Sequence, residues 1–157
     1  DTANQATRMA LRELQEIARP LGVAVQALDG RNPANVGVAF NTIARERIDG
    51  LIVDVNPLVL EQRQQIVDAA ARHRLPAIYA RREYVDAGGL LSYGTDLGAL
   101  YPRVAEVVHR ILKGAKPADI PYEQLSTFKM VVNLKTVKAL GIKIPQSVLL
   151  RADEVIQ

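Results

Sequence analysis

The 157-residue chain has no cysteine, few aromatic residues (4%) and no long apolar run. The absence of cysteine excludes disulfide bonds, zinc knuckles and thiol catalysis, but it fits an exported bacterial protein as well as a cytosolic one. No apolar run approaches the ~18 residues of a membrane-spanning helix, so no transmembrane helix is predicted. Four of residues 1–5 are polar, and we predict no signal peptide within the chain.

An excess of charge of one sign is also missing. The chain has 20 basic and 17 acidic residues, a net charge of +3, and no basic block. This net positive charge is too small for a dedicated nucleic-acid-binding protein, so we predict no nucleic-acid partner. Residues 1–91 contain 11 arginines, no lysine and 11 acidic residues, whereas residues 92–157 contain six lysines, three arginines and six acidic residues. The shift predicts a boundary near Ser92.

Catalytic motifs are absent as well. The sequence contains no G-x-S-x-G, P-loop or G-x-G-x-x-G pattern, and neither histidine has a second ligand at metal-binding spacing. Asp54 followed by Asn56 imitates the phosphoacceptor of a receiver domain. That chemistry also needs an acidic pair for Mg²⁺ and a lysine after a later strand, but only Asp29 ends the first predicted strand and no lysine precedes position 113. We therefore expect no enzyme activity, no cofactor and no metal site.

The apolar pattern alternates between helix and strand periods. Predicted helices cover residues 4–19, a segment that begins at Pro33 after the N-cap Asn32, and residues 57–73, 82–86, 97–113 and 134–140; predicted strands cover residues 23–28, 51–55, 76–80, 90–93 and 128–133. Residues 51–55 are a nearly unbroken apolar run, typical of a central parallel strand. Pro102 is expected to delay the start of its helix. Strands separated by helix-length segments predict an α/β fold with a parallel sheet.

Two features indicate that this sequence is part of a larger fold. A doubly wound domain ordinarily begins with a strand, but this sequence begins with a helix. The segment after Tyr93 has too little apolar periodicity for an independent domain. Its strand places Phe128, Met130 and Val132 on one face, which we expect to be exposed. The isolated chain is therefore predicted to form a homodimer that covers this surface.

Five segments resemble the bacterial ABC-transporter substrate-binding proteins of the tryptophan/tyrosine type. They are residues 71–79 (ARHRLPAIY), 87–94 (AGGLLSYG), 110–121 (RILKGAKPADIP), 133–141 (NLKTVKALG) and 144–154 (IPQSVLLRADE). The last three are similar to the C-terminal signature of that family. Together the segments cover most of the chain after residue 70, in the family's order and spacing.

The resemblance implies a type I periplasmic-binding-protein fold, in which two α/β lobes joined by hinge crossings hold a ligand between them. The chain resembles the C-terminal half. Residues 1–91 would form the second lobe, a three-layer unit with a parallel sheet. Residues 92–157 would contain a hinge crossing at Tyr93 and Gly94 and then return to pack on the first lobe.

The function that this resemblance implies is the non-catalytic, solute-binding component of a bacterial ABC importer in the periplasm or another extracytoplasmic space. Its partners would be an amino-acid-like solute, aromatic amino acids included, and the membrane permease. The alternative is a ligand-sensing domain of a transcriptional regulator with the same fold, although the chain contains no helix-turn-helix. A receiver-like signalling domain is the third reading.

Ligands of parallel α/β lobes bind beyond the carboxyl ends of the strands. This rule predicts ligand-binding roles for Asp54, Asn56, Tyr79, Arg81 and Tyr93. The tyrosine rings would stack on an apolar or aromatic solute, Asn56 would hydrogen-bond to it, and Arg81 would pair with a carboxylate.

Overall fold

The computed structural model describes residues 5–121 and 127–157. Its helices are α1 (Gln5–Ala18), α2 (Pro33–Glu46), α3 (Pro57–Glu61), α4 (Arg63–Arg72), α5 (Arg82–Asp86), α6 (Leu97–Leu112), α7 (Leu134–Leu140) and α8 (Gln146–Leu149); its strands are β1 (Leu51–Val53), β2 (Ala77–Tyr79), β3 (Leu91–Thr95), β4 (Phe128–Asn133) and β5 (Glu154–Ile156). Within these residues, no helix is both long and apolar enough to cross a membrane.

The five strands form one sheet in the order β1-β2-β3-β4-β5. Strands β1, β2 and β3 are parallel, β4 runs antiparallel to β3, and β5 is parallel to β4. The predicted α/β class with a mostly parallel sheet is confirmed. Because β1, β2 and β3 run in the same direction, their carboxyl ends lie along one edge of the sheet.

The first core lies between helices α2 and α4 and one face of β1 and β2. The predicted inner face of α2, formed by Val36, Phe40 and Ile43, is buried. The Asn32 side chain accepts a hydrogen bond from the Asn35 N–H at 2.9 Å, which confirms the predicted N-cap.

The second core lies between β3, β4 and the C-terminal helices. Leu91 and Val132 are opposite each other in the sheet and are both buried, together with Val137 of α7. Residues of α7 and α8 pack against this pair. The prediction that Val132 is exposed is therefore wrong, because the C-terminal helices cover it, whereas Phe128 on the same strand is 48% exposed.

The face of β1 and β2 opposite the first core is not covered by other described residues. Ile52 and Ile78 are neighbours on the face of β1 and β2 opposite the first core, and both are exposed. The predicted strand at residues 23–28 belongs to no sheet. Its backbone hydrogen-bonds instead to α1, from the Val23 N–H to the Ala18 carbonyl and from Gln15 Nε2 to the Val25 carbonyl. In the described part of the chain, β1 is therefore an edge strand with no neighbour on its outer side.

Two helix boundaries differ from the sequence patterns. The predicted helix over 57–73 is divided at Gln62, whose φ of −89° and ψ of 10° are not helical. Helix α6 begins at Leu97 despite Pro102, because the Asp96 side chain caps it by accepting the Gly98 N–H at 2.9 Å. The predicted delay at Pro102 is wrong, since the proline lies inside the helix.

Candidate functional site

Polar residues that follow β1 and β2 line one pocket at the carboxyl edge of the sheet. Asp54 follows β1 directly, Asn56 precedes α3, and Arg81 lies between β2 and α5. The pocket has a volume of about 80 Å³, and its remaining lining residues are Val55, Pro57, Leu60 and Tyr84. The structure thus brings together three of the five residues that the strand-end rule predicts.

Asp54 and Asn56 each accept a hydrogen bond from a neighbouring backbone N–H with one side-chain oxygen. Asp54 Oδ1 accepts the Val55 N–H at 2.7 Å, and Asn56 Oδ1 caps α3 by accepting the Leu58 N–H at 2.9 Å. Among residues 5–121 and 127–157, the second carboxylate oxygen of Asp54 and the amide group of Asn56 make no hydrogen bond. The pocket therefore has one anionic acceptor and one neutral donor available for a ligand.

Arg81 is held by a neighbouring carboxylate. Its Nε and Nη2 atoms donate to Glu83, with the Nε–Oε2 distance at 3.2 Å. This ion pair lowers the pKa of Glu83 and raises that of Arg81. The Arg81 side chain is 27% exposed, and its Nη1 atom makes no hydrogen bond to the part of the chain that the structure describes. Arg81 can therefore donate to a ligand without losing Glu83, although part of its charge is already neutralised.

Tyr79 does not lie where the sequence analysis places it. Its ring is 1% exposed, belongs to the first core and stacks on Tyr84 with ring centroids 4.7 Å apart. Burial raises the pKa of the Tyr79 hydroxyl far above its ordinary value. Gly89 makes room for this ring, since a Cβ there would come within 2.7 Å of Tyr79 Cε2. The expectation that Tyr79 faces the cleft is therefore wrong. Its ring lies in the first core and packs against the ring of Tyr84.

Tyr84 is the pocket residue that sequence reasoning missed. It is 1% exposed, it lines the pocket beside Arg81, and its buried hydroxyl has no hydrogen-bond partner among the described residues. Burial raises the pKa of this hydroxyl to about 12. The one sequence signal that points to it is position: α5 begins right after the end of β2.

Tyr93 lies apart from the pocket, on β3. It is 52% exposed and stacks on Phe128 of β4 at a centroid distance of 5.6 Å. The next residue, Gly94, packs against the backbone of β2's end: a Cβ there would lie 2.0 Å from the Ala80 carbonyl oxygen. The hinge role predicted for Tyr93 and Gly94 stays a prediction.

The same edge carries an ion pair beside β3. Lys129 Nζ lies 2.9 Å from Asp96 Oδ2, and this contact lowers the pKa of the Asp96 carboxyl. Over residues 5–121 and 127–157, no three His, Asp or Glu side chains group closely enough to hold a metal ion. The chemistry available at this edge is hydrogen bonding, ion pairing and aromatic contact.

Comparison with known proteins identifies relatives of the chain. A family described as ABC transporter substrate binding protein matches residues 1–156. A protein named tyrosine-binding protein from Clostridioides difficile (strain R20291) is 27% identical over 97 residues, which are 62% of this chain and 28% of that protein.

Solved structures agree with that match. The ABC domain from Streptococcus pneumonia, solved in complex with L-Trp, has a TM-score of 0.82 and 28% identity, over 96% of this chain and 52% of that chain. A conserved domain protein from Vibrio cholerae O1 biovar eltor has a TM-score of 0.78 and 28% identity, over 96% and 51%. The chain spans about half the length of these solved relatives.

Proposed function

The chain belongs to the ABC transporter substrate-binding protein family, and from that premise we propose that it binds an α-amino acid, without catalysis, as the solute-binding component of an ABC importer. The observation that carries the proposal is the pocket at the carboxyl edge of the sheet. Asp54, Asn56 and Arg81 present there an anionic acceptor and two donors. An α-amino acid offers the complementary pair, an ammonium group and a carboxylate.

The names of two relatives support an aromatic amino acid. One is a tyrosine-binding protein and another was solved with L-Trp. The exposed stack of Tyr93 and Phe128 at the carboxyl end of β3 offers an aromatic face for such a side chain. The amino-acid head group would bind at the pocket between β1 and β2, and the ring would extend towards β3.

The importer role includes a second lobe. In this proposal residues 1–91 form the C-terminal lobe, and residues 92–157 cross a hinge at Tyr93 and Gly94 and pack on a first lobe. The exposed apolar side chains of α6, among them Val104 and Val108, support a partner surface of this kind. The protein would work outside the cytoplasm, deliver its solute to a membrane permease and close its lobes around the bound amino acid.

Calorimetric titration of the complete gene product that contains residues 1–157 tests the proposal, with L-Trp and L-Tyr as the first ligands. Asp54→Asn should weaken binding by about 1–3 kcal/mol, because it removes the charge that pairs with the ammonium group. Asp49→Asn is the matched control: Asp49 is exposed at the other end of β1, and its removal should leave affinity unchanged.

Residues 1–157 on their own should bind the same ligands weakly, at about millimolar Kd or about 4 kcal/mol, because lobe closure supplies the remaining contacts. Micromolar binding by the isolated chain would contradict the two-lobe arrangement. Indifference of the complete protein to Asp54→Asn would place the ligand elsewhere. If no amino acid binds the complete protein, the proposed function is wrong.

A further inference from the structure

The connection from β3 to α6 is one residue long. Strand β3 ends at Thr95 and α6 begins at Leu97, so the backbone of Asp96 sets the direction in which the helix leaves the sheet. Its φ of −73° and ψ of 97° are extended. Helix α6 contributes no buried residue, so burial within the described part of the chain holds that direction only weakly.

The Asp96 carboxylate contacts both sides of this connection. Its Oδ1 atom accepts the Gly98 N–H at 2.9 Å in the first turn of α6, and its Oδ2 atom lies 2.9 Å from Lys129 Nζ on β4. The Asp96 N–H also donates to the Thr127 carbonyl, just before β4, at 3.1 Å. One carboxylate therefore ties the start of the helix to the strand beside β3.

The carboxylate is charged and well placed for this role. The Asp96 side chain is 14% exposed, whereas that of Lys129 is 54% exposed. The Lys129 ammonium holds the pKa of the Asp96 carboxyl below its ordinary value, so both carboxylate oxygens are acceptors at neutral pH.

Helix α6 amplifies a small change at Asp96. Residue 109 lies twelve residues beyond the start of the helix, about 18 Å along its axis, so a rotation of about 10° at Asp96 moves it by about 3 Å. In the proposed two-lobe arrangement α6 packs on the first lobe. The direction of α6 then contributes to the angle between the lobes.

We propose that the Asp96–Lys129 ion pair fixes the direction of α6, and that Lys129 is thereby a positioning residue for solute binding. Lys129 acts through Asp96 and needs no contact with the solute. Without the pair, α6 takes a wider range of directions, which lowers the share of molecules whose lobes can close on the solute. The effect on binding rests on the proposed function, whereas the effect on α6 does not.

The first test measures distances between spin labels in the complete gene product that contains residues 1–157. These residues contain no cysteine, so Asn41→Cys on α2 and His109→Cys on α6 place two labels at exposed positions, once any cysteines elsewhere in the gene product are replaced by serine. Asp96→Asn keeps the cap, because asparagine also accepts an N–H, but it removes the charge. It should broaden the distance distribution by about 3 Å.

Lys129→Met removes the other partner and should broaden the distribution equally. Lys129 also lies within electrostatic range of Asp153 and Arg82, and Asp96→Asn leaves both of those contacts unchanged. The double variant should be no broader than either single variant, because each substitution removes the same contact. Lys129→Arg retains the positive charge and should restore the distribution of the parent.

Lys135→Met is the matched control. Lys135 on α7 is exposed and forms no ion pair with residues 5–121 or 127–157. Its substitution should change neither the distance distribution nor the affinity for a solute.

Calorimetric titration with L-Trp measures the consequence for binding. Asp96→Asn and Lys129→Met should each raise the Kd about two- to fivefold, a range limited by the weakness of exposed ion pairs, and Lys129→Arg should bind like the parent. The temperature of thermal unfolding without ligand should change little in all three variants, for the same reason.

Each outcome decides a different part of the proposal. An unchanged distance distribution in Asp96→Asn and Lys129→Met overturns it. Broadening in only one of these variants assigns the effect to that residue alone and refutes the ion pair as its cause. Broadening with unchanged L-Trp affinity refutes the positioning role in binding. A parent protein that binds no amino acid removes the proposed function, while the distance measurement still decides whether the ion pair fixes α6.

Discussion

At the scale of single residues, the carboxyl edge of the sheet requires a glycine at position 94. A Cβ at residue 94 would lie 2.0 Å from the Ala80 carbonyl oxygen and 2.9 Å from its carbon, both of them backbone atoms. Relief of this overlap requires β2 and β3 to separate next to Arg81. Gly94→Ala should therefore lower the free energy of unfolding by more than about 2 kcal/mol.

Gly37→Ala is the matched control, because it makes the same chemical change within α2, where a Cβ meets nothing within 4 Å. It should raise the free energy of unfolding by about 0.5–1 kcal/mol, since alanine is the better helix former. Urea unfolding of both variants gives the comparison. A Gly94→Ala variant as stable as the parent would show that β2 and β3 separate here at little cost, as a flexible crossing requires.

The sequence predicts the position of a residue at this edge where strand topology determines it, but not where burial determines it. Asp54, Asn56 and Arg81 follow the ends of parallel strands, and that rule alone brings them to one pocket. Tyr79 also ends a strand, but the pattern of residues 77–79 does not show which side the helices cover. The structure buries Ala77 and Tyr79 and exposes Ile78. The unpartnered hydroxyl of Tyr84 follows from that packing and leaves no trace in the sequence.

At the scale of elements, local signals predict most helices and strands of the described residues. Asn32 and Asn133 each cap the helix that follows, and Gly141, with φ of +69°, ends α7 where the sequence predicts. The strand at 23–28 is the clear failure. A strand needs a neighbour, and β1 offers its free edge without pairing with this segment. The apolar pattern shows that a segment is compatible with a strand, whereas strand formation also needs a neighbouring strand with which to pair.

A testable consequence concerns the amides of residues 23–28. In residues 1–157 alone they should exchange with solvent much faster than the amides of β2, which lies between two strands. In the proposed two-lobe arrangement we expect them to be protected in the complete gene product, because β1 is an edge strand of the described sheet and a further strand beside it would offer these amides a partner. Hydrogen exchange followed by mass spectrometry measures both. Slow exchange of residues 23–28 in the isolated chain would contradict the unpaired state.

At the scale of the whole molecule, the described chain has two cores on one sheet and apolar surface beyond both of them. The first core draws on residues 28–87 and the second on residues 90–152, so the division falls close to the composition shift near Ser92. Helix α6, which follows β3, contributes no buried residue to either core. Its Val104 and Val108 are exposed, as are Ile52 and Ile78 on the uncovered sheet face. Soluble monomers rarely leave so many large apolar side chains in contact with water.

The isolated chain of residues 1–157 should therefore self-associate, and light scattering between about 10 and 500 µM should show the mass rising towards a dimer. Val104 lies at the centre of the apolar stripe of α6, so Val104→Glu should weaken association by placing a charge in the contact. His109→Glu is the matched control, since residue 109 is exposed on the same helix but about 140° away from Val104 around its axis. A monomer over the whole range would show that these apolar side chains need no cover. Equal effects of the two variants would show that net charge controls association. If the apolar stripe of α6 forms the contact, only the charge placed within that stripe weakens it.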